Sequence, residues 1–134
     1  MPSVLIIDDE ENLRRTLALG LKVEGFDTEQ ASSGVEGIEL LTTIMSRGDR
    51  IDIVLVDLMM PGLNGLEVAR HITRSFPGVQ VVLSSAYHLS RSQLDRSSCG
   101  AIGFVPKPYS MTELTRYLRD KTSPPSSRVT KQAV

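Results

Sequence analysis

The chain has 134 residues, of which 40% are hydrophobic and 23% are charged, and its formal net charge is −1. This size and composition predict one globular domain with a single core, and the balanced charge excludes a strong general attraction to nucleic acid or acidic membranes. Cys99 is the only cysteine, which excludes internal disulfides and thiolate metal centres and favours a reducing compartment. With no apolar run long enough to span a bilayer and no secretion signal, we expect a cytoplasmic protein.

Apolar and amphipathic segments alternate from the N-terminus. The first segment, Ser3 to Ile7, is almost continuously apolar, as is typical of a strand that is covered on both faces. A helix follows, because Leu13, Leu17 and Leu21 recur every four residues on one face. The next segment, Phe26 to Ala31, is more polar and predicts a strand at the edge of a sheet.

The central part of the chain continues the alternation. Ser33 and Glu36 have the spacing of a capping box at the start of a second helix. The apolar run 51–57 predicts a third strand that ends at Asp57. Asn64 and Glu67 can cap a third helix. The residues predicted to face inward from that helix are Leu66, Ala69, Ile72 and Phe76.

The remaining elements are shorter. Val79 to Ser85 predicts a fourth strand, residues 89–100 a weak helix with few apolar positions, and Ala101 to Val105 a fifth strand. Ser110 and Glu113 have capping-box spacing at the start of a last helix. The apolar face of this helix consists of Met111, Leu114 and Leu118.

Five strands that alternate with five helices predict an α/β fold, a parallel sheet with helices on both faces. Residues 1–121 form the predicted domain. Residues 122–134 are rich in Pro, Ser and Thr and contain no acidic residue, so we expect a flexible tail or the start of a linker.

Polar residues cluster where the predicted strands end. Ligands of such a sheet bind beyond the carboxyl ends of its strands, so these side chains should converge. One carboxylate at a strand end is usually a cap or a turn residue, but this joint placement indicates a site. Three close carboxylates repel one another, and Mg²⁺ prefers oxygen ligands of this kind. The converging residues are Asp8, Asp9, Asp57, Ser84, Ser85 and Lys107.

The segments IIDDE, VLVDLMMPGLNGLE, LSSAY and FVPKP occur in this order. In these four segments and their order, the chain resembles the receiver domain of two-component response regulators, and the resemblance covers roughly residues 3–121. The separations of Asp57 from Lys107, 50 positions (107 − 57), and from Ser85, 28 positions (85 − 57), are similar to those of the family. The resemblance implies a flavodoxin-like, doubly wound sheet with strand order 2-1-3-4-5.

The resemblance also implies a role for each matching residue. Asp57 corresponds to the phosphoacceptor, and Lys107 to the lysine that pairs with the phosphoryl group. A cis peptide bond between Lys107 and Pro108 is implied as well. Mg²⁺ would be held by Asp8, Asp9, Asp57 and the backbone carbonyl of Met59.

Two further positions correspond to a conformational switch. Ser85 matches the switch hydroxyl and Phe104 the aromatic switch residue. Ser84 directly precedes Ser85 and is the alternative, but the spacing to Asp57 and Lys107 favours Ser85. Phe104 lacks a hydroxyl, so it would switch by packing.

The implied function is that of a regulatory phosphoprotein in a phosphorelay. It would accept a phosphoryl group from a sensor histidine kinase or a phosphotransfer protein and assist its own phosphorylation and dephosphorylation, without being an enzyme in the ordinary sense. A homodimer or an output partner would use the face formed by the fourth helix, fifth strand and fifth helix. Direct binding to nucleic acid or membranes is not expected.

Two other classes share parts of this pattern. A Mg²⁺-dependent phosphatase with an aspartyl nucleophile usually has a second aspartate two positions after the first, where this chain has Met59. A flavin-binding electron carrier needs a phosphate-binding loop after the first strand, but the sequence DDEEN there is acidic and repels phosphate.

Overall fold

The computed structural model describes residues 1–87 and 89–122. Five strands and five helices alternate along the described chain, as the hydrophobic pattern predicts. The elements are β1 (Ser3–Ile7), α1 (Glu11–Val23), β2 (Asp27–Ala31), α2 (Gly34–Ser46), β3 (Ile53–Asp57), α3 (Gly65–Ser75), β4 (Gln80–Ser85), α4 (Arg91–Ser97), β5 (Gly103–Pro106) and α5 (Met111–Thr122).

All five strands lie in one parallel sheet with the order β2-β1-β3-β4-β5. The flavodoxin-like topology is therefore confirmed, and β2 lies at an edge, as its polar composition predicts. The central strands β1 and β3 are almost wholly buried. Because all strands run the same way, their carboxyl ends meet at one edge of the sheet.

The sheet separates two apolar clusters. One cluster combines one face of the strands with buried residues of α2, α3 and α4, and the other combines the opposite face with α1 and α5. Successive residues of β1 alternate between them: Leu5 and Ile7 belong to the first, Val4 and Ile6 to the second. This two-sided burial explains why β1, β3 and β4 are nearly continuous apolar runs in the sequence.

Several element boundaries differ from the prediction. β5 begins at Gly103 instead of Ala101, although Ile102 already donates a backbone hydrogen bond to β4. In α3, Val68 is buried, whereas Phe76 caps the end of the helix. The Phe76 side chain is nevertheless partly buried and packs against the apolar cluster on this side of the sheet, as predicted.

The last helix extends one residue past the predicted domain boundary at residue 121. Thr122, predicted to begin the tail, is the last residue of α5, and its hydroxyl donates to the Leu118 carbonyl at 2.8 Å. The rest of the predicted tail, residues 123–134, lies outside the described residues. Among the helices that the structure describes, none has the length and apolar character needed to cross a membrane.

Candidate phosphorylation site

Three carboxylates meet at the carboxyl ends of the two central strands. Asp57 is the last residue of β3 and Asp8 directly follows β1, which is paired with β3. Oxygen atoms of Asp8, Asp9 and Asp57 all lie within 4.8 Å of one another. Asp8 and Asp57 are buried, whereas Asp9 is exposed. The three aspartates predicted from strand ends therefore form one cluster.

A single ammonium group bridges two of these carboxylates. Lys107 Nζ lies 2.8 Å from Asp8 Oδ2 and 3.5 Å from Asp57 Oδ2. The side chain is only 14% exposed, so water screens these ion pairs weakly. The Lys107–Pro108 peptide bond is cis, as the sequence resemblance implied. Lys107 thus offsets part of the negative charge that the buried aspartates bring to the sheet end.

The burial and the charges act in opposite directions on Asp57. Loss of hydration raises the pKa of its carboxyl group, while the Lys107 ammonium and a backbone hydrogen bond from Met59 lower it, and the net pKa is above the ordinary value. Burial lowers the pKa of Lys107, but hydrogen bonding and attraction to Asp8 and attraction to Asp57 raise it overall. Lys107 therefore remains a cation at neutral pH beside a carboxylate of increased basicity.

Asp8 is held in place by several contacts. Its Oδ1 accepts a hydrogen bond from the Glu10 backbone N–H at 2.9 Å, and Lys107 occupies Oδ2. Arg14 Nη1 donates to the Asp8 backbone carbonyl at 2.9 Å. Sequence reasoning did not select Arg14, whose only signal was a basic residue in the helix that follows an acidic pair. These contacts fix the orientation of Asp8 within the cluster.

The donor set of the cluster suits a hard divalent cation. All three groups offer carboxylate oxygens, and the described chain places no thiolate or imidazole among them. Mg²⁺ commonly uses one or two carboxylates and fills its remaining positions with water or phosphate oxygens. The exposed Asp9 leaves the cluster open on one side, which fits a cation that keeps part of its water shell.

The turn after Asp57 brings its backbone close to the start of α3. Leu58 donates a backbone hydrogen bond to Ser84 at 2.7 Å and accepts one from Gly65 at 3.0 Å. A Cβ atom at Gly65 would lie 2.6 Å from the Asp57 carbonyl oxygen, so only glycine fits there. Met59 N donates to Asp57 Oδ1 at 3.3 Å. This turn supports both the backbone and the carboxylate of Asp57.

Ser84 and Ser85, the two serines that end β4, have different partners. Ser85 is buried, and its Oγ accepts a hydrogen bond from the Tyr87 backbone N–H at 3.0 Å. The Ser84 hydroxyl is hydrogen-bonded to that of Tyr109. Sequence reasoning missed Tyr109, because an aromatic residue after a Lys-Pro pair gives no sign of a partner 25 positions earlier.

Phe104 lies outside the charged cluster. It belongs to β5, is half-buried, and packs against the apolar cluster on the α2, α3 and α4 side. A surface cleft of about 410 Å³ adjoins it, with Leu89, Leu94 and Tyr117 among its lining residues. The ring therefore has open space on one side and core on the other.

Comparisons with known proteins agree with this geometry. The family model described as response regulator receiver domain matches residues 4–119. The chain is 32% identical over 124 residues to the response regulator MprA of Mycobacterium sp. (strain KMS), which covers 90% of this chain and 52% of that protein. It is also 32% identical over 111 residues to the regulatory protein AtoC of Escherichia coli (strain K12), covering 83% and 23% of the two chains.

A solved structure supports the same relationship. The response regulator protein TrrA from Thermotoga maritima, in complex with Mg²⁺-BeF, superimposes with a TM-score of 0.78 at 32% identity, covering 90% of this chain and 99% of that one. The chain spans about half of MprA and about a quarter of AtoC.

Proposed function

The chain belongs to the family of response regulator receiver domains, which have the phosphoacceptor role in two-component signalling, and from this premise we propose that Asp57 is the phosphoacceptor. The observation that carries the proposal is the position of Asp57: a buried carboxylate at a strand end, 3.5 Å from Lys107 Nζ and clustered with Asp8 and Asp9. The donor would be a phosphohistidine on a sensor histidine kinase or on a phosphotransfer protein.

The proposed reaction is one in-line displacement at phosphorus. An Asp57 carboxylate oxygen forms a bond to phosphorus while the bond from phosphorus to the histidine nitrogen breaks, so an acyl phosphate forms on Asp57 and the imidazole leaves with the electron pair. Lys107 provides a fixed cation beside the phosphoryl oxygens, and Ser85 can donate its hydroxyl hydrogen to one of them. Such preorganised charges are the main contribution that a protein makes to phosphoryl transfer.

We propose further that Asp8, Asp9, Asp57 and the backbone carbonyl of Met59 hold Mg²⁺. A bound Mg²⁺ would neutralise charge on the phosphoryl oxygens. Support comes from the all-oxygen donor set of the cluster and from the Mg²⁺-BeF complex of the related TrrA. In this arrangement Asp9 is the most accessible ligand and Asp8 the most rigidly held.

The role of the domain is regulatory, and assistance to its own phosphorylation and dephosphorylation is part of the proposal. We propose that it acts in the cytoplasm and that its phosphorylated state is recognised through the face formed by α4, β5 and α5, either by a second copy or by an output partner.

Phosphorylation of the purified chain by acetyl phosphate tests the role of Asp57. With Mg²⁺ present, the parent should gain one phosphoryl group that is labile in acid and in base, and Asp57→Asn should gain none. Asp49→Asn is the matched control, because Asp49 is an exposed aspartate paired with Arg47 and should leave labelling unchanged. Labelling of Asp57→Asn at the parent's level would refute the proposal.

Titration with Mg²⁺ tests the metal ligands separately. Even residues that only support a metal's ligands typically cost about 10–100-fold in metal affinity when they are removed. Asp9 is proposed as a direct ligand, so Asp9→Ala should weaken Mg²⁺ binding by at least about tenfold. Asp95→Ala removes an exposed carboxylate that pairs with Arg91 and serves as the control. An unchanged Mg²⁺ affinity in Asp9→Ala would remove Asp9 from the proposed set.

A further inference from the structure

The loop that carries Lys107 is fastened to β4 at two successive residues. The Lys107 backbone N–H donates to the Ser85 carbonyl at 2.9 Å. Two positions further on, the Tyr109 hydroxyl is hydrogen-bonded to the Ser84 hydroxyl. The Lys107 side chain, which lies between these two attachments, reaches the carboxylates. The first attachment is a backbone hydrogen bond just past the end of β5. The second is made by side chains that the proposed reaction does not use.

The Ser84 end of this bond lies beside the phosphoacceptor. Ser84 is directly opposite Asp57 in the parallel register of β3 and β4, and its carbonyl accepts the Leu58 backbone N–H at 2.7 Å. Residues in register have their side chains on the same face of a sheet. Ser84 is completely buried, which leaves its hydroxyl little freedom. Tyr109 is thus anchored to a fixed point adjacent to Asp57.

The Tyr109 hydroxyl is a suitable anchor because it keeps its proton. Burial raises the pKa of Tyr109, whereas the bond to Ser84 and the charge of Lys107 lower it, and the net pKa lies above the ordinary value of 10.0. The hydroxyl is therefore neutral at physiological pH. The ring itself packs against the apolar cluster formed with α1 and α5, so the whole side chain is held against the sheet.

We infer that Tyr109, through its hydrogen bond to Ser84, is a positioning residue that holds Lys107 Nζ between Asp8 and Asp57. The inference rests on the proposed function of Asp57. Without the bond, the loop keeps its attachment at the Lys107 N–H, and Lys107 keeps its 2.8 Å contact with Asp8. The position of Lys107 Nζ relative to Asp57, its more distant partner, and to a group bound at Asp57 is then less constrained.

A purely structural role makes a different prediction. If the bond only satisfies two buried hydroxyls, its loss lowers the stability of the fold but does not act through Lys107. The two possibilities are separated by removing the hydrogen bond from a variant that already lacks the Lys107 ammonium. If Tyr109 acts through Lys107, its loss has no further effect on binding in that variant.

The experiment measures the binding of beryllofluoride with Mg²⁺ to the full chain, followed by NMR. Tyr109→Phe and Ser84→Ala should each weaken binding by about three- to tenfold, the range expected for one hydrogen bond, and the double variant should be no weaker than either. In the Lys107→Ala background, Tyr109→Phe should have no effect. Labelling rates with acetyl phosphate provide the same comparison where beryllofluoride affinity becomes too low to titrate.

Tyr117→Phe is the matched control, because Tyr117 is a half-buried tyrosine of α5 whose hydroxyl lies over Gly103. It should leave beryllofluoride affinity unchanged. Parent-like affinity in Tyr109→Phe, or an equal loss in the Lys107→Ala background, would overturn the positioning role and leave the proposed function of Asp57 intact. Failure of the parent to bind beryllofluoride would overturn both.

Discussion

Gly65 shows how closely the backbone is packed beneath Asp57, the proposed phosphoacceptor. A Cβ atom there would lie 2.6 Å from both the Asp57 carbonyl oxygen and Leu58 Cα. Both contacts are backbone atoms, which cannot rotate away. We predict that Gly65→Ala lowers the free energy of unfolding by about 1–3 kcal/mol, as overpacking typically does, and slows phosphorylation by displacing Asp57.

Gly78→Ala provides the control for this prediction in urea unfolding and acetyl phosphate labelling. A Cβ at Gly78 would have no atom within 4 Å, and the residue has no positive φ. The substitution should be neutral or stabilise by up to about 1 kcal/mol through the unfolded state, with unchanged labelling. A Gly65→Ala protein as stable and as reactive as the parent would contradict the packing argument.

Met59 and Tyr87 lie at the rim of the site and are 58% and 68% exposed. Neither side chain can act as a base or orient water as an amide does, and both can cover a phosphoryl group. We therefore predict slow loss of the phosphoryl group from the parent. Met59→Asn should accelerate this loss by about two- to tenfold, well below the 10²–10⁴-fold of a positioned general base.

Decay of the labelled protein after removal of acetyl phosphate measures this rate. Val23→Asn replaces an apolar residue that is 79% exposed at the end of α1, and it should leave the decay unchanged. A decay in Met59→Asn that is equal to or slower than that of the parent would contradict the shielding role of Met59.

At the scale of elements, α4 is the most weakly anchored helix. It has seven residues, and Leu94 is its one buried side chain. A capping box formed by Ser90 and Gln93 precedes it, and its C-cap residue, Ser98, has a left-handed backbone with φ 52°. Few buried apolar contacts make an element easy to displace. α4 and the adjoining β5 are therefore where a change at Asp57 is most easily transmitted.

We predict that beryllofluoride changes hydrogen exchange mainly in residues 85–110. The added charge and acceptor oxygens should draw the Ser85 hydroxyl away from the Tyr87 N–H, its partner at 3.0 Å, and Phe104 should turn toward the space released. Phosphorylation can shift the domain between two conformations only if their free energies differ by no more than a few kcal/mol.

Ser85→Ala should abolish these exchange changes while phosphorylation remains largely possible. Thr16→Ala, an exposed hydroxyl lost from α1, is the control and should leave them in place. Exchange changes confined to α1 would contradict this mechanism.

The sequence predicted all five strands and all five helices. Burial on both faces leaves continuous apolar runs in the inner strands, and Ser33 and Asn64 cap their helices as their spacing indicated. Other features depend on distant contacts. The start of β5 is set by pairing with β4, which hydrophobicity does not reveal. The helix predicted over residues 89–100 is present but shorter, Arg91–Ser97, because only Leu94 is buried within it.

The candidate site was predictable to a similar extent. Strand ends in a parallel sheet must converge, so Asp8, Asp57 and Lys107 could be placed together from order alone. The bond between Ser84 and Tyr109 could not, because it depends on how a loop turns back across the sheet. Side-chain pairs of this kind follow from tertiary packing and leave no periodic pattern in the chain.

At the scale of the whole molecule, the last helix, α5, is attached to the domain by contacts with elements that are distant in the sequence. Gln80 Nε2 donates to the Lys121 carbonyl at 2.7 Å. We predict that removal of residues 123–134 changes the free energy of unfolding by less than about 0.5 kcal/mol, since the proposed domain ends near residue 121. Truncation after Asp120 also deletes the Gln80 partner and should cost about 0.5–1.5 kcal/mol more.

Urea unfolding of the two truncated chains beside the full chain measures this difference. Equal stability of both truncations would show that the Gln80 contact contributes nothing. A large loss on removal of residues 123–134 alone would move the domain boundary beyond residue 121.

The contact between Lys107 and Asp8 joins residues that are 99 positions apart. During synthesis at about 5–20 residues per second, Lys107 leaves the ribosome roughly 3–10 s after Asp57. Until then the carboxylates have no ammonium partner, and burial of unpaired charge is costly. We therefore expect this edge of the sheet to remain open on the nascent chain until β5 pairs. A ribosome-bound fragment that ends before β5 would contain Asp57, the proposed phosphoacceptor, without the lysine that completes the proposed site.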